Sequence, residues 1–398
     1  MKILSITAQK ADSTGSGVFL TELVKGFSSL GCRQAVICGT VAEDTVCLPE
    51  GVAVYPVCYK QDPLPFPVCG MSDEMPYEST RYRDLDEKQT AQLFAAFREV
   101  LQRAVAEFQP DVILCHHLYF LAALARELFP DIPVYGQCHG SDLRQIRKNS
   151  WQRSWITENV ARLDGVFALH TEQKRAITEI FGIPEDRIFV LGTGYNSEIF
   201  HLNRPARSCD GRTRLIFAGK LSEKKGLYSL LRALRLLHKP ENYELALAGG
   251  YGNREEYAKI RRLAEVSPCP VTFLGKLSHR DLALEMNRSD VFILPSFYEG
   301  LPLVLIEAMA CGLKTVCTDL PGIRPWLDGA IPGSGTVFVE APRMFNEDEP
   351  YPDDLPGFEQ ALAEAIESVR HRPDPDQRLV RQLSWDALCR SYHTIWNP

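Results

Sequence analysis

Residues 297–312 read FYEGLPLVLIEAMACG, and this stretch decides the fold of the chain. It follows the apolar run 291–294, which predicts a short buried strand. Pro302 and Gly312 stand where a helix typically begins and ends. We therefore predict a strand, a tight turn and a helix, with the backbone N–H groups of the turn and of the first helical residues directed toward an anion.

Two glutamates belong to this stretch. Glu299 precedes the helix, and Glu307 lies within it among apolar residues. A buried carboxylate requires a hydrogen-bond partner, because burial of an unpaired charge is costly. The two hydroxyl groups of a ribose would supply such a partner at Glu307. The alternative is that Glu307 lies on the solvent face of an amphipathic helix, and the spacing alone fits both interpretations.

A second motif, FAGKLSEKKG at residues 217–226, contributes positive charge. It follows the apolar run 215–218, which predicts another strand. Gly219, Lys220 and Lys225 are therefore expected near the carboxyl end of a parallel strand, where such sheets bind ligands. Two lysines and a helix N-terminus can stabilise a departing diphosphate without a metal ion. A charged, exposed loop is the alternative.

A glycine-rich turn, Thr14-Gly15-Ser16-Gly17, follows the first predicted strand. Gly15 and Gly17 would let the backbone approach a phosphate or a sugar closely, although tight turns also use glycine for steric reasons alone. A dinucleotide dehydrogenase would carry the fuller G-x-G-x-x-G pattern at this place. Leu20 stands where the third glycine should be, so that class of enzyme fits poorly.

Histidines follow two further predicted strands. QCHGSDL, residues 137–143, places His139 and Asp142 at a strand's carboxyl end, the functional side of a parallel sheet. Asp142 would either contact a ligand or cap the next helix, and a lone histidine is often structural. The pair His116-His117 also ends a strand, and one of the two is expected to face the site.

Short apolar strands alternate with amphipathic helices almost throughout, as in parallel α/β sheets. Because 398 residues exceed the usual size of one domain, we predict two doubly wound domains, 1–203 and 204–382. The polar stretch 200–212 is interpreted as the linker, and the helix expected at 383–398 would return to the first domain. The segment 62–86, rich in Pro, Tyr and charge, is predicted to be a long loop.

Composition excludes several classes of protein. The net charge of −7 argues against nucleic-acid binding, but weak attachment to a membrane surface stays open. No apolar run reaches the roughly 20 residues that span a bilayer, and the start reads as a strand and not as a signal peptide. The 12 cysteines are scattered without a C-x-x-C pair, so we expect neither a zinc site nor a disulfide framework, and a cytoplasmic location.

Together these motifs resemble those of retaining glycosyltransferases of family 4 (glycosyl transferases group 1), enzymes of the GT-B architecture. That architecture is α/β, with two Rossmann-like doubly wound domains facing a cleft. The spacing of Glu299 and Glu307 matches the family's E-x7-E signature. The resemblance implies that Glu307 binds the ribose of a nucleotide and that Glu299 lies near the transferred sugar. It also implies that the intervening turn holds diphosphate and sugar through Gly300, Leu301, Pro302 and Leu303.

The resemblance covers nearly the whole chain. Residues 217–226 correspond to a motif of the family in which Lys220 replaces the more usual arginine and lacks its bidentate fork. Residues 14–17 resemble the family's glycine-rich first loop, which borders the donor phosphates. His139 matches the histidine of its H-G-x-D segment, near the reacting sugar. Residues 383–396 resemble the C-terminal helix that crosses back to the first domain.

The resemblance implies transfer of a sugar, with retention, from a nucleotide-diphosphate sugar to an acceptor that the sequence does not identify. A UDP-sugar is the favoured donor, with no metal or other cofactor. The residues expected to bind the donor are Gly15, Gly17, Gly219, Lys220, Lys225, Glu299, Gly300, Leu301, Pro302, Leu303 and Glu307. The residues expected to act in catalysis are Glu299, His139, Lys220 and Lys225. The residues considered for the acceptor are Tyr77, Asp142, Arg144 and Arg147.

Two other functions fit part of this pattern. A nucleotide-sugar epimerase also uses two Rossmann-like domains, and a catalytically silent protein could bind a nucleotide sugar without turnover. The combination of Lys225-Gly226 with Glu299 and Glu307 favours transfer over both. The acceptor could be a small molecule, a saccharide or a lipid-linked compound, and the oligomeric state is open.

Overall fold

A computed structural model describes residues 1–11, 13–72, 75–203, 211–346 and 349–397. The chain divides into two compact units, one formed by Met1–Thr193 with Trp385–Pro398 and the other by Gly194–Ser384. The chain passes from the first unit to the second after Thr193, whereas the sequence placed this boundary after residue 203. Much of the linker predicted at 200–212 lies outside the described residues.

The strands are β1 (Lys2–Ile6), β2 (Arg33–Thr40), β3 (Ala53–Cys58), β4 (Cys69–Gly70), β5 (Thr80–Arg81), β6 (Val112–His116), β7 (Val134–Gln137), β8 (Gly165–Ala168), β9 (Ile188–Val190), β10 (Thr213–Ala218), β11 (Tyr243–Ala248), β12 (Val271–Gly275), β13 (Val291–Leu294), β14 (Lys314–Asp319) and β15 (Val337–Glu340). The helices are α1 (Gly15–Ser29), α2 (Glu87–Phe108), α3 (Phe120–Leu128), α4 (Ser141–Lys148), α5 (Arg153–Val160), α6 (Thr171–Phe181), α7 (Leu227–Ala233), α8 (Arg254–Glu265), α9 (His279–Arg288), α10 (Leu303–Ala310), α11 (Ile323–Ala330), α12 (Leu355–Ser368), α13 (Gln377–Arg381) and α14 (Trp385–Trp396).

The first unit is built on a parallel sheet. Within the described residues it has seven strands in the order β3-β2-β1-β6-β7-β8-β9. Ile3 pairs with Gln34 of β2 on one side and with Val112 of β6 on the other. The central strand β6 is buried along its whole length, as expected for a parallel sheet covered on both faces. The carboxyl ends of β1, β6 and β7 therefore lie side by side.

The second unit repeats this arrangement. Its described residues form a six-stranded parallel sheet in the order β12-β11-β10-β13-β14-β15. The strand order changes direction between β10 and β13, so the loops that follow these two strands are neighbours at the carboxyl edge, a usual ligand-binding place. The predicted α/β fold with two doubly wound sheets is confirmed.

Helix α14 belongs to the first unit and packs on α1. A Cβ atom on Gly26 of α1 would lie 2.4 Å from Sγ of Cys389, so only glycine permits this close approach. Tyr392 is buried, and its hydroxyl donates to Oε1 of Gln137 while its ring lies 4.2 Å from that of Phe167. The apolar face of α14 thus completes the core of the first unit.

The segment 62–86 is largely irregular, as the sequence predicted, but it also contains short strands and buried side chains. It contains β4 and β5, which pair in parallel, and Leu64, Phe66 and Val68 are buried in the core of the first unit. The prolines between these apolar side chains conceal their alternation, so the sequence did not indicate that they are buried. Residues 73–74 of the segment are outside the described part.

None of the helices in the described ranges is both long enough and apolar enough to cross a membrane.

Candidate functional site

Glycines bring two loops together at the carboxyl edge of the second unit's sheet. Gly219 and Gly249 follow β10 and β11 with φ of +157° and +149°, and a Cβ on Gly249 would lie 1.7 Å from the carbonyl oxygen of Gly219. The N–H of Leu221 also donates to the carbonyl oxygen of Gly250, at 2.8 Å. The loop that carries Lys220 is therefore fixed to its neighbour by backbone contacts.

Gly226 likewise allows two loops to approach closely, on the other side of β10. Its φ is +70°, and a Cβ there would lie 1.9 Å from the carbonyl oxygen of Pro295, directly after β13. The N–H of Phe297 donates to the carbonyl oxygen of Lys224 at 3.0 Å, which joins the two loops again. These contacts explain physically why glycine must follow Lys225 in the motif.

Lys225 and Glu299 form an ion pair at this edge. Nζ of Lys225 lies 2.6 Å from Oε1 of Glu299, and the side chains are 30% and 15% exposed. Burial, and secondly the charge of Glu299, raise the pKa of the buried Cys317 thiol in the next strand, β14. The sequence indicated both charged residues as site residues but not that they pair with each other. An anionic ligand at this edge would share Lys225 with Glu299.

The turn after Glu299 leads into α10. Pro302 precedes the helix, which begins at Leu303, one residue later than predicted, and no side chain caps its N-terminus. Leu301 is buried, whereas Gly300 and Leu303 are partly exposed. The first amides of α10 therefore have no side-chain acceptor within the described residues, which suits an incoming anion.

Glu307 lies on α10 with a partly exposed side chain, among the buried Leu305, Ile306, Ala308 and Met309. Glu307 has interactions within the protein. It lies near enough to Cys311 to raise the pKa of that thiol, after burial, to about 12. A ribose ligand at Glu307 stays a prediction.

Lys220 occupies the β11 side of the site. Its side chain is exposed, and a Cβ on Gly252 would lie 3.0 Å from its Nζ. In the same loop after β11, Tyr251 is 49% exposed and stacks on Tyr257 with ring centroids 4.1 Å apart and planes at 8°. This aromatic surface was not predicted from the sequence. Its signal was a tyrosine flanked by glycines directly after a strand.

Three histidines meet in the first unit, at the ends of β6 and β7. Nδ1 of His116 lies 3.2 Å from Nε2 of His139, and the ring centroids of His117 and His139 are 4.8 Å apart. Burial lowers the pKa of His116 to about 3 and lowers the pKa of His139 and of His117. All three rings are therefore neutral near pH 7, and His139 is suited to hydrogen bonding more than to carrying charge.

The Asp142 carboxylate fixes the backbone beside this histidine cluster. Its side chain is fully buried, and Oδ2 accepts the N–H of Leu118 at 2.9 Å and that of His139 at 3.3 Å. Oδ1 accepts from the Cys138 thiol at 3.3 Å. The sequence placed Asp142 with the acceptor or at a helix cap. In the structure this enclosed carboxylate joins two strand ends through backbone N–H groups, and contact of Asp142 with an acceptor stays a prediction.

Gly15 and Gly17 lie at the start of a helix, and their contact with a donor stays a prediction. They form the first turn of α1, capped by Thr14, whose Oγ1 accepts the N–H of Gly17 at 3.1 Å. The space around Gly15 is open, since a Cβ there would have no neighbour within 4 Å. Further along the same helix, the ring of Phe19 lies 5.2 Å from that of His139. The glycine motif thus begins the helix that packs on the histidine cluster.

The remaining residues considered for the acceptor lie around α4. Arg144 is partly exposed and Arg147 is exposed. Tyr77 is partly exposed, with the Lys10 ammonium 5.2 Å from its ring centroid. Gln145, between the two arginines, donates to the carbonyl oxygen of Met71 at 3.1 Å and so ties α4 to the segment that carries Tyr77. Their contact with an acceptor stays a prediction.

Among the residues that the structure describes, no group of three or more His, Cys, Asp or Glu side chains is arranged to hold a metal ion.

Comparison with known proteins identifies the family. Residues 13–199 match the family model described as Glycosyltransferase Family 4, and residues 212–347 match the one described as Glycosyl transferases group 1. The two matches together take in most of the chain and divide it as its sheets do. The chain belongs to glycosyltransferase family 4, and its two parallel sheets flanked by helices form the GT-B fold.

Individual relatives agree with this placement. Glycogen synthase of Mycobacterium tuberculosis is 26% identical over 289 residues, which are 69% of this chain and 63% of that protein. Sucrose-phosphate synthase of Thermosynechococcus elongatus superposes with a TM-score of 0.68 and 17% identity, over 100% of this chain and 98% of the other. The structure of Anabaena Alr3699/HepE in complex with UDP and glucose superposes with a TM-score of 0.65 and 16% identity, over 99% of each chain. The chain spans less than two thirds of the glycogen synthase.

Proposed function

We propose that this chain is a retaining glycosyltransferase that moves a sugar from a nucleotide-diphosphate sugar, with a UDP-sugar favoured, to an acceptor. The observation that carries the proposal is the Lys225–Glu299 ion pair beside the uncapped N-terminus of α10, within the segment matched as glycosyl transferases group 1. The HepE structure holds UDP and glucose on the same fold, which supports this donor class.

In this proposal the second unit binds the donor. Lys220, Lys225 and the amides at the start of α10 neutralise the diphosphate, and Glu307 accepts hydrogen bonds from the ribose hydroxyls. Lysines and oriented amides can stabilise a departing diphosphate by themselves. We therefore propose that transfer requires no metal ion and no other cofactor.

The proposed reaction breaks the bond between the anomeric carbon and the diphosphate oxygen and forms a new bond from that carbon to an acceptor oxygen. The leaving diphosphate keeps the electron pair and receives the acceptor's proton. Glu299, held by Lys225, stabilises the positive charge that develops on the sugar. The acceptor approaches from the face that the diphosphate leaves, so the anomeric configuration is retained.

A thermal-shift panel of UDP, UDP-glucose, GDP-mannose and ADP-glucose tests the donor site. A ligand of the folded state at 100 times its Kd adds about 2.7 kcal/mol of stability, so we expect UDP and UDP-glucose to raise Tm most. Glu307→Gln should reduce this shift, whereas Glu359→Gln, a change at a buried glutamate of α12, should keep it. Failure of every nucleotide to shift Tm would contradict the proposal.

The same protein, incubated with UDP-glucose and no acceptor, distinguishes the alternatives. An epimerase would produce epimerised donor or incorporate solvent hydrogen into the sugar. A silent binding protein would bind the nucleotide and transfer nothing to any acceptor in a broad panel. Membership of the family favours neither outcome.

For the acceptor we propose recognition by the first unit, with Arg144 and Arg147 of α4 contacting an anionic group. Arg144→Ala/Arg147→Ala should raise the KM for sugar-phosphate acceptors at least about tenfold, because each contact is a hydrogen bond to a charged group. The KM for the corresponding neutral sugars should not change. Arg103→Ala, at an exposed position of α2, serves as the control. An unchanged KM in a folded double variant would exclude an anionic acceptor at α4.

A further inference from the structure

The three histidines of the first unit form a directed chain of hydrogen bonds. Nδ1 of His117 lies 3.0 Å from the carbonyl oxygen of His116. A carbonyl oxygen only accepts, so Nδ1 of His117 carries the proton. His117 adopts a φ of +78°, a conformation that non-glycine residues seldom take, and this brings its ring back over the His116 backbone.

Only one proton lies between Nδ1 of His116 and Nε2 of His139. Both rings are neutral, so each carries a single N–H, and either Nδ1 of His116 or Nε2 of His139 is the donor at 3.2 Å. The other nitrogen of His116, Nε2, is buried and has no partner among the described residues. A buried N–H without an acceptor is costly and rare. The proton of His116 is therefore on Nδ1, and Nε2 of His139 accepts it.

We propose that His116 is a positioning residue that holds His139 with its own proton on Nδ1, so that His139 offers an N–H donor to a substrate oxygen. This rests on the proposed function and specifies it further. A ring with this tautomer can bind a sugar hydroxyl or a phosphate oxygen, both of which accept hydrogen bonds. It is not available as a base through Nε2, because that nitrogen is occupied by His116.

The cluster is built to keep this arrangement. Asp142 accepts a hydrogen bond from the backbone N–H of His139, and this bond fixes the end of β7. The rings of Phe19 and His139 pack edge to face, with centroids 5.2 Å apart and planes at 86°, and the ring centroids of Trp385 and Phe19 are 4.9 Å apart. The His139 ring therefore cannot turn freely to exchange its two nitrogens.

Nitrogen-15 NMR of the full chain with labelled histidine tests the inference directly, since long-range couplings distinguish protonated from unprotonated ring nitrogens. We expect His116, His117 and His139 to be protonated on Nδ1. His170 provides an internal reference for the other tautomer. Its Nδ1 accepts the N–H of Gln173 at 3.2 Å, so its proton must be on Nε2. Loss of one signal in His139→Ala assigns that residue. A His139 protonated on Nε2 in the wild type would overturn the inference.

Two variants separate positioning from packing. His116→Phe keeps a ring but removes the N–H donor. The proton of His139 should then no longer be fixed on Nδ1, and kcat should fall about tenfold with an unchanged KM for UDP-glucose. His116→Asn keeps an N–H near the place of Nδ1, and should retain the His139 tautomer and most of kcat. A His139 tautomer unaffected by His116→Phe would contradict the inference. The wild-type and His116→Asn spectra decide the matter if His116→Phe does not fold. The expected tautomers without sugar transfer to any acceptor would instead contradict the proposed function.

Discussion

Glu299→Gln is expected to lower kcat about 100- to 1000-fold, the scale seen when one preorganised electrostatic group is removed from a catalytic site. The variant keeps the size and one acceptor atom of the side chain but removes its charge. The developing positive charge on the sugar then lacks its carboxylate, and the Lys225 ammonium loses its 2.6 Å partner. Donor affinity should fall much less, because Lys225 becomes more available to the diphosphate. Steady-state kinetics with UDP-glucose measure both quantities.

The ion pair makes a stricter test possible. If Lys225 and Glu299 act as a unit, Lys225→Met/Glu299→Gln should lose less activity than the sum of the two single losses expressed as free energies. Glu359→Gln is a matched control, since Glu359 is similarly buried and pairs with Arg232 at 3.1 Å in the same unit. It should reduce stability without reducing kcat. A Glu299→Gln enzyme within about threefold of wild-type kcat would remove Glu299 from the mechanism.

Much of the fold, and the meeting of Lys225 and Glu299 at one sheet edge, could be predicted from sequence because both depend on local patterns. Apolar runs such as 112–115 and 291–294 identify buried strands, and parallel sheets bring strand ends to one edge. Lys225-Gly226 and Glu299 follow strands that are neighbours in the sheet, so placing both at one site required only the strand order. The close approach of Gly226 to Pro295 shows why that dipeptide is so specific a signal.

The features that could not be predicted from the sequence depend on where side chains point once the chain has folded. The bond between His116 and His139 joins the ends of two strands, and no local pattern indicates which histidine of the pair 116–117 turns inward. Asp142 looked like a ligand or a helix cap because its environment is supplied by backbone from distant segments. The burial of the apolar side chains in segment 62–86 was not predicted, since prolines separate them.

The loss of the Asp142 carboxylate should strongly destabilise the first unit. Asp142→Ala would leave the N–H groups of Leu118 and His139 buried without their acceptor. Hydrogen bonds to a charged group and unsatisfied buried donors each contribute on the order of 1–3 kcal/mol, so we expect the free energy of unfolding to fall by about 3 kcal/mol. Asp142→Asn should be nearly as harmful, because its amide group would bring a donor toward these N–H groups. Urea denaturation followed by circular dichroism measures the loss.

A carboxylate at the surface provides the comparison. Asp86 caps α2 by accepting the single N–H of Gln89 at 2.7 Å, and Asp86→Ala should cost only about 1 kcal/mol. Because Asp142 also fixes the backbone of His139, its variants should lose kcat at temperatures where they remain folded, whereas Asp86→Ala should not. A stable Asp142→Asn protein with full activity would mean that the two strand ends hold the histidine cluster without the carboxylate. The geometry of His139 would then have to come from its contacts with His116 and Phe19.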